Sequence, residues 1–530
     1  MRTIALLVSL AFGTPAQTIN GIYNAASNIV PALPNGGIAR GAMFVVYGSG
    51  LGPNELVVAK SFPLPKSIGG TSIRITSGGV TGDAILYYAG ATQVAGILPS
   101  SLPAGNATFT LTVNGSAPVA APAKIVDRAP GIFTAPQLGA GAGIATLGAE
   151  VLQWRFAANP GEVLAMWGTG LGPVPFDETR PAVQGDFSDV AVEAFVGGQR
   201  AEVLFKGRNA CCSAIDSIYF RVPLGVEGCA VPVVFRAGGV LSNTTTIPIA
   251  LTGRICTPAT PGLTGEDLTG VLQRDPVTIG ELTLSRGTFA FTLGGDAEMG
   301  DRASGIFMQH SRPAAATNGG PFPFADIPSF GSCVVVSGGS AVPPASAIGK
   351  TLDAGASLRV SGPNGERTLQ KNTFIWTSYG AQFDTTNSYL SAGSYTFSGN
   401  SGPHIGSFNA PIQLAAPMVW TNQRAVTEVD RAGGLTVTWS GGDPKGYVEI
   451  SGISALPNNE GSAGFTCTAR PGEGRFTVTP EVLLALPPSD VSRGTLYVRA
   501  YSPHARFLAT GLDFGSVRNV VGYSTPIPYR

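Results

Sequence analysis

The run Phe44-Val45-Val46-Tyr47-Gly48-Ser49-Gly50-Leu51-Gly52-Pro53 returns 120 positions later as Leu164-Ala165-Met166-Trp167-Gly168-Thr169-Gly170-Leu171-Gly172-Pro173. No other feature constrains the fold as strongly. A repeat of that period is too long for a solenoid and matches an immunoglobulin-sized sandwich. Gly41 or Gly161 stands just ahead of each copy, and an extended run follows each, Ala107 to Val113 in the first and Val231 to Ala237 in the second. Ala129-Pro130-Gly131-Ile132-Phe133 reads as the joint between them, because Pro and Gly punctuate a chain. The glycines Gly48, Gly50, Gly52 and Gly168, Gly170, Gly172 are expected as structural turns with positive φ between strands. A dinucleotide loop spaces its glycines Gly-x-Gly-x-x-Gly and opens a helix. Here Pro53 and Pro173 remove a backbone donor and no helical pattern follows.

Alternation points to strands beyond the repeat. Phe109, Leu111 and Val113 alternate with Thr110 and Thr112, Leu358 and Val360 with Arg359 and Ser361, and Leu435, Val437 and Trp439 with Thr436 and Thr438. Period two with Thr outward describes half-buried antiparallel strands. Further strands are expected at Thr288 to Leu293, Tyr395 to Ser398, Phe465 to Cys467, Phe476 to Thr479 and Leu496 to Tyr501, a long loop at Pro313 to Pro344, and a helix at Pro480 to Leu486. Charged residues make up only 12% of the chain, against about 25% in an average soluble protein, which excludes long salt-bridged surface helices. Hydrophobic residues at 44% exclude wholesale disorder, and 33 basic against 33 acidic residues leave no basic field for nucleic acid. The fold class expected is all-β, tandem immunoglobulin-like β-sandwiches in four modules, at 17–128, 129–257, 258–416 and 417–530.

Residues 1–16 have the pattern of a secretory signal peptide, with a charged start, a short apolar run from Ile4 to Phe12 and small residues at the exit. No later segment has about 18 apolar residues in a row, so no transmembrane segment is expected after cleavage. The chain is therefore expected to be exported, either secreted or held at the cell surface. Six cysteines in that setting, Cys211, Cys212, Cys229, Cys256, Cys333 and Cys467, favour disulfides. Adjacent cysteines on an extended segment point to opposite faces, so Cys211 and Cys212 are expected to take different partners, Cys229 and Cys256 being the nearest. Cys333 and Cys467 are expected to pair across a module boundary. A zinc site would need a Cys-x-x-Cys pair or a nearby histidine, and neither is present.

The ordered set of the two glycine motifs, Ala129 to Phe133, Cys211-Cys212, Val222-Pro223 and Ser242-Asn243 resembles a family of exported bacterial proteins of uncharacterised function that look like tandem IPT/TIG-type immunoglobulin-like domains. The resemblance covers roughly residues 20 to 252. The stretch with Trp420-Thr421-Asn422, Val437 to Gly442 and Phe476-Thr477-Val478 is similar to C-terminal regions attached to the same family. It implies fold and export and carries over no catalytic residues. The first copy departs from the second in lacking any counterpart of Cys211, Cys212 and Cys229.

Candidate chemistry is sparse. His310, His404 and His504 are spread over two modules beside Ser311, Pro403 and Pro503, with no Gly-x-Ser-x-Gly elbow, and are expected as surface residues in turns. The acidic clusters Glu266-Asp267 and Asp296-x-Glu298-x-x-Asp301 raise calcium binding, but the second departs from the EF-hand pattern at its third and fifth positions, and structural turns are the expectation for both. No cofactor or metal is expected. Trp and Tyr rings stack on sugar faces and anchor interfaces. Trp154, Trp376, Tyr379 and Trp420 fall outside the clearest strands and are the candidate ligand contacts, while Trp167 and Trp439 are expected in cores. The leading expectation is a non-enzymatic extracellular binding, adhesive or structural module, with a polysaccharide, cell-envelope or protein partner. The runner-up is a secreted carbohydrate-active enzyme with its site in 258–416, and a third possibility is a spacer.

Overall fold

Alternating Thr, Val, Ile and aromatic residues fit a pleated, half-buried surface, and strands run along nearly the whole chain. The computed structural model describes residues 17–181, 185–271, 273–289, 298–311, 327–338, 349–374, 376–383 and 389–530. Among these the fold is all-β, with two short α-helices, Gly265–Val271 and Pro480–Leu483.

The first module is a two-sheet sandwich. Thr18–Asn24, Met43–Ser49, Gln93–Ile97, Ile85–Ala89 and Val57–Val58 form one sheet in that order. Ile38–Ala39, Val119–Val126, Gly105–Val113, Thr71–Ser77 and Ser67–Ile68 form the other. The inward residues of both build one core, in which Phe44 and Phe109 meet edge-on at 5.2 Å between ring centroids. The second module repeats the plan. Val163–Thr169 pairs with Asp216–Arg221 as Met43–Ser49 pairs with Gln93–Ile97. Gly228–Ala237 lies between Val192–Val196 and Thr245–Ile249, as Gly105–Val113 lies between Thr71–Ser77 and Val119–Val126. Both modules are β-sandwiches of immunoglobulin size.

The glycine motifs divide by role. Gly50, Gly170 and Gly172 have positive φ, as expected of turns. Gly48, Gly52 and Gly168 do not, and are glycine for a different reason. A Cβ on Gly48 would stand 1.9 Å from the Thr18 carbonyl oxygen, one on Gly168 2.2 Å from that of Gly131, and one on Gly52 3.0 Å from that of Gly90. Close approach of a neighbouring backbone sets these three.

After residue 258 the two expected modules are joined by a shared sheet. Two cores form, one around Leu282, Phe307, Leu358 and Phe397, the other around Val437, Trp439, Ile450 and Val498. Their strands nevertheless share one continuous sheet. The last strand, Phe514–Pro526, joins them. Its first part runs parallel to Val277–Phe289, from Ile279 opposite Phe514 to Gly287 opposite Gly522, and its second part runs antiparallel to Gly494–Tyr501. Phe507 and Val517 pack in the third module's core, while Cys333 and Val335 pack against the fourth's.

The span expected as a loop from Pro313 to Pro344 contains a strand, Ser332–Gly338, paired with Ser462–Ala469; residues 312–326 and 339–348 lie outside the described residues. The strand expected at Thr288 to Leu293 is the end of Val277–Phe289, and 290–293 also lie outside. The Pro480 helix stops at Leu483. Pro487 disfavours helical geometry in the residue before it.

Cys333 and Cys467 face each other across their strand pair and are bonded, closing 134 residues. Cys229 and Cys256 are bonded to each other across 27 residues. The expectation that Cys211 and Cys212 take those two as partners is therefore wrong: both are free thiols. They lie on a turn, where the alternation of an extended segment does not apply. His310 and His504 correct a second expectation, since both are buried, at 4% exposure, and only His404 of the three is exposed.

Candidate functional site

Three adjacent strands of the third module carry a wide, open surface. Glu298–His310 pairs with Ser378–Gln382, which pairs in turn with Gly365–Asn372. The pleat sends Ala303, Phe307, Leu369 and Tyr379 into the core. Opposite them lies a polar row of a guanidinium, amides and hydroxyls around Gly380: Arg302 stands across from Gln382, Ser304 across from Gly380, Gln370 across from Gly380, and Asn372 across from Ser378. A Cβ on Gly380 would meet nothing within 4 Å, so the middle of the row opens to solvent.

Phe374 and Trp376 lie between the strands that end at Asn372 and begin at Ser378. Asn372 accepts a hydrogen bond on Oδ1 from the Phe374 backbone N–H at 2.9 Å, fixing the turn. Phe374 is 91% exposed and Trp376 40% exposed. The result is a wide, open groove of about 900 Å³ with Phe374 in its wall and Trp376 on the same loop. Its lining contains no Asp or Glu among the described residues. Such a surface supplies hydrogen bonds to hydroxyl groups and an apolar ring for a flat face.

The structure separates the four candidate aromatics. Trp376 lies on the groove's loop. Tyr379 is in the same strand but points the other way, 1% exposed. Its hydroxyl oxygen accepts from the Ala354 N–H at 2.8 Å and lies 3.1 Å from Asp353 Oδ1, and burial foremost pushes its pKa up to about 12. Trp420 is 3% exposed and donates its indole N–H to Asn422 Oδ1 at 2.8 Å. It is paired with Trp439 across two strands, so both are core residues. Trp154 is half-buried against the cluster that contains Cys229 and Cys256. Phe374, the most prominent ring of the groove, was not among the sequence candidates. The signal available was its place between two alternating runs, on neither strand's inward face.

The two acidic clusters expected as turns lie instead in regular elements where they are described: Glu266 and Asp267 in the helix Gly265–Val271, Glu298 and Asp301 in the strand Glu298–His310. Asp301 is 3% exposed, accepts two hydrogen bonds from the Arg286 guanidinium at 2.7 Å each, and accepts the Leu390 N–H at 2.7 Å. That pattern fixes a structural ion pair. Glu298 lies in a strand, and Asp296 lies outside the described residues. Asp267 and Thr264 form a reciprocal cap at the start of Gly265–Val271, Thr264 Oγ1 accepting the Asp267 N–H at 3.1 Å and Asp267 Oδ2 the Thr264 N–H at 2.9 Å. Arg506 also donates to Asp267. No helix among the described residues is long and apolar enough to cross a membrane.

Neither a family model nor a curated protein matches the sequence. Among solved structures, the chain is similar at 10% identity to a Bacteroides ovatus surface protein, SGBP-B of a mixed-linkage glucan utilization locus in complex with a mixed-linkage heptasaccharide, over 89% of this chain and 92% of that one, at a TM-score of 0.13. The S-layer protein SbsC, residues 31–844, is 10% identical over 91% of this chain and 53% of its own, at a TM-score of 0.17. The four-domain ectodomain fragment of ICAM-5 is 10% identical over 91% and 96%, at 0.12.

Proposed function

We propose that this chain is an exported, non-enzymatic β protein that holds an extended polysaccharide in the groove of its third module, with the two IPT/TIG-type sandwiches ahead of it as a rigid stalk. The observation that carries the proposal is Phe374, strongly exposed in the wall of a groove whose lining includes Ser304, Gln370, Asn372, Ser378 and Gln382, with Trp376 exposed on the same loop. Sugar polymers present the complementary alternation of apolar ring faces and hydroxyl edges. An open groove admits a polymer along its length without needing a chain end. Export is supported by two disulfides, which persist in oxidising compartments.

The test is co-sedimentation of the mature chain with insoluble polysaccharides and cell envelopes, with the supernatant assayed for released sugar. Binding without release is expected, and it should fall about tenfold or more in a Phe374→Ala, Trp376→Ala double variant, which corresponds to about 1.4 kcal/mol. Release of sugar by the wild-type chain contradicts the proposal.

A further inference from the structure

Cys211 and Cys212 are left over by the fold and by the groove alike. The remaining four cysteines are bonded in two pairs, so neither has a partner elsewhere in the chain. They lie in the turn between the strands Val203–Arg208 and Asp216–Arg221. Asn209, itself buried, accepts the Cys211 backbone N–H on Oδ1 at 2.9 Å and donates from Nδ2 to Ser217 Oγ at 3.3 Å, which ties the turn to the strand beneath it. The two cysteines are neighbours in sequence on this one turn. Cys211 is exposed and Cys212 is half-buried.

The same turn is a lock between the first two modules. Ala214 inserts into an apolar cluster with Leu64, Ile85 and Ile97 of the first module. The Tyr87 hydroxyl donates to the Ser213 carbonyl at 2.6 Å. Thr169 Oγ1 donates to the Ala214 carbonyl at 2.7 Å and accepts the Met43 N–H at 3.0 Å. A closed ring at positions 211 and 212 would fix the segment that makes all of these contacts.

We propose that Cys211 and Cys212 form a vicinal disulfide in the exported protein, an oxidative modification site that sets the turn holding the second module against the first. The inference rests on the export reading given above, because the reaction needs an oxidising compartment. The oxidant is a protein or small-molecule disulfide of that compartment. The exposed Cys211 thiol gives up its proton and its thiolate attacks one sulfur of the oxidant, breaking the oxidant's S–S bond and releasing one thiol. Cys212 then loses its proton and attacks Cys211 Sγ, forming the Cys211–Cys212 bond and releasing the second thiol. Two cysteine thiols lose two electrons and two protons, and one disulfide gains them.

The test is alkylation of the full chain, secreted to an oxidising compartment and denatured without reductant, followed by trypsin and mass spectrometry. Cleavage after Arg208 and Arg221 gives a peptide that contains Cys211 and Cys212 and no other cysteine. The expected result is that peptide unalkylated and lighter by two hydrogens, taking two alkyl groups only after reduction. The pairs Cys229–Cys256 and Cys333–Cys467 serve as the internal control. If those are protected while the 209–221 peptide carries two alkyl groups, the vicinal disulfide is wrong and the export reading stands. If all six cysteines are alkylated, the export reading fails and the proposal fails with it. Disulfide-linked dimers through either cysteine also overturn the proposal.

Discussion

At the scale of single residues, the glycine motif shows how a repeat can be legible while its reasons are not. Its period announced two sandwiches, and the turn role of Gly50, Gly170 and Gly172 followed from the sequence. Gly48 and Gly168 needed the neighbouring strand, which comes from 30 or more positions away, before their cause was visible. Gly48→Ala and Gly168→Ala are each expected to destabilise by about 2 kcal/mol or more, since a backbone carbonyl rather than a flexible side chain stands in the way. Gly270, exposed in a helix and with nothing within 4 Å of a Cβ, is the control: Gly270→Ala should be neutral or stabilise by up to about 1 kcal/mol. Thermal melts of the three variants check the difference in sign. His310 gives a second prediction. Burial lowers its pKa from 6.5 to about 4, so the unfolded chain binds the proton more tightly than the folded one. Stability is then fully present above about pH 6.5 and is lost as pH falls toward 4, by on the order of 3 kcal/mol. His310→Leu should flatten that part of the melting-temperature profile, and an unchanged profile would contradict the assignment.

At the scale of elements, the strand Ser332–Gly338 is the part of the fold that composition concealed. It lies inside a Ser, Gly and Pro-rich stretch, and its partner strand is more than a hundred residues away. The Cys333–Cys467 pairing was readable as a long-range expectation, but not that it staples an edge strand to another module's core. Replacing both cysteines by serine is expected to cost about 2–5 kcal/mol, seen as an earlier transition in calorimetry and as new proteolytic cleavage around 332–338. The groove was partly legible. Trp376 was singled out because it stood outside the alternating runs, and it lies on the groove's loop. Tyr379 and Trp420 were singled out by the same criterion and are core, because two-residue strands and long-range pairs such as Trp420 with Trp439 leave no local period. The polar row was invisible for a related reason: it exists only once three strands lie side by side.

At the scale of the molecule, the last strand decides how the second half behaves. Phe514–Pro526 is hydrogen-bonded to Val277–Phe289 in the third module and to Gly494–Tyr501 in the fourth, so the two cores share an element that neither can release alone. Truncation before Phe514 is expected to expose both cores and leave the 258–513 region insoluble or protease-sensitive, whereas independent modules would leave a stable 258–416 fragment in limited proteolysis. The groove sits on this shared sheet, built from strands with a common backing core, which gives it a rigid floor beneath an exposed aromatic loop. Hydrogen exchange of the full chain, with and without the polysaccharide that it co-sediments with, tests the central claim most directly. The account predicts slowed exchange confined to 300–306, 366–374 and 376–382; slowing confined to the sandwiches, or none at saturating polymer, contradicts it.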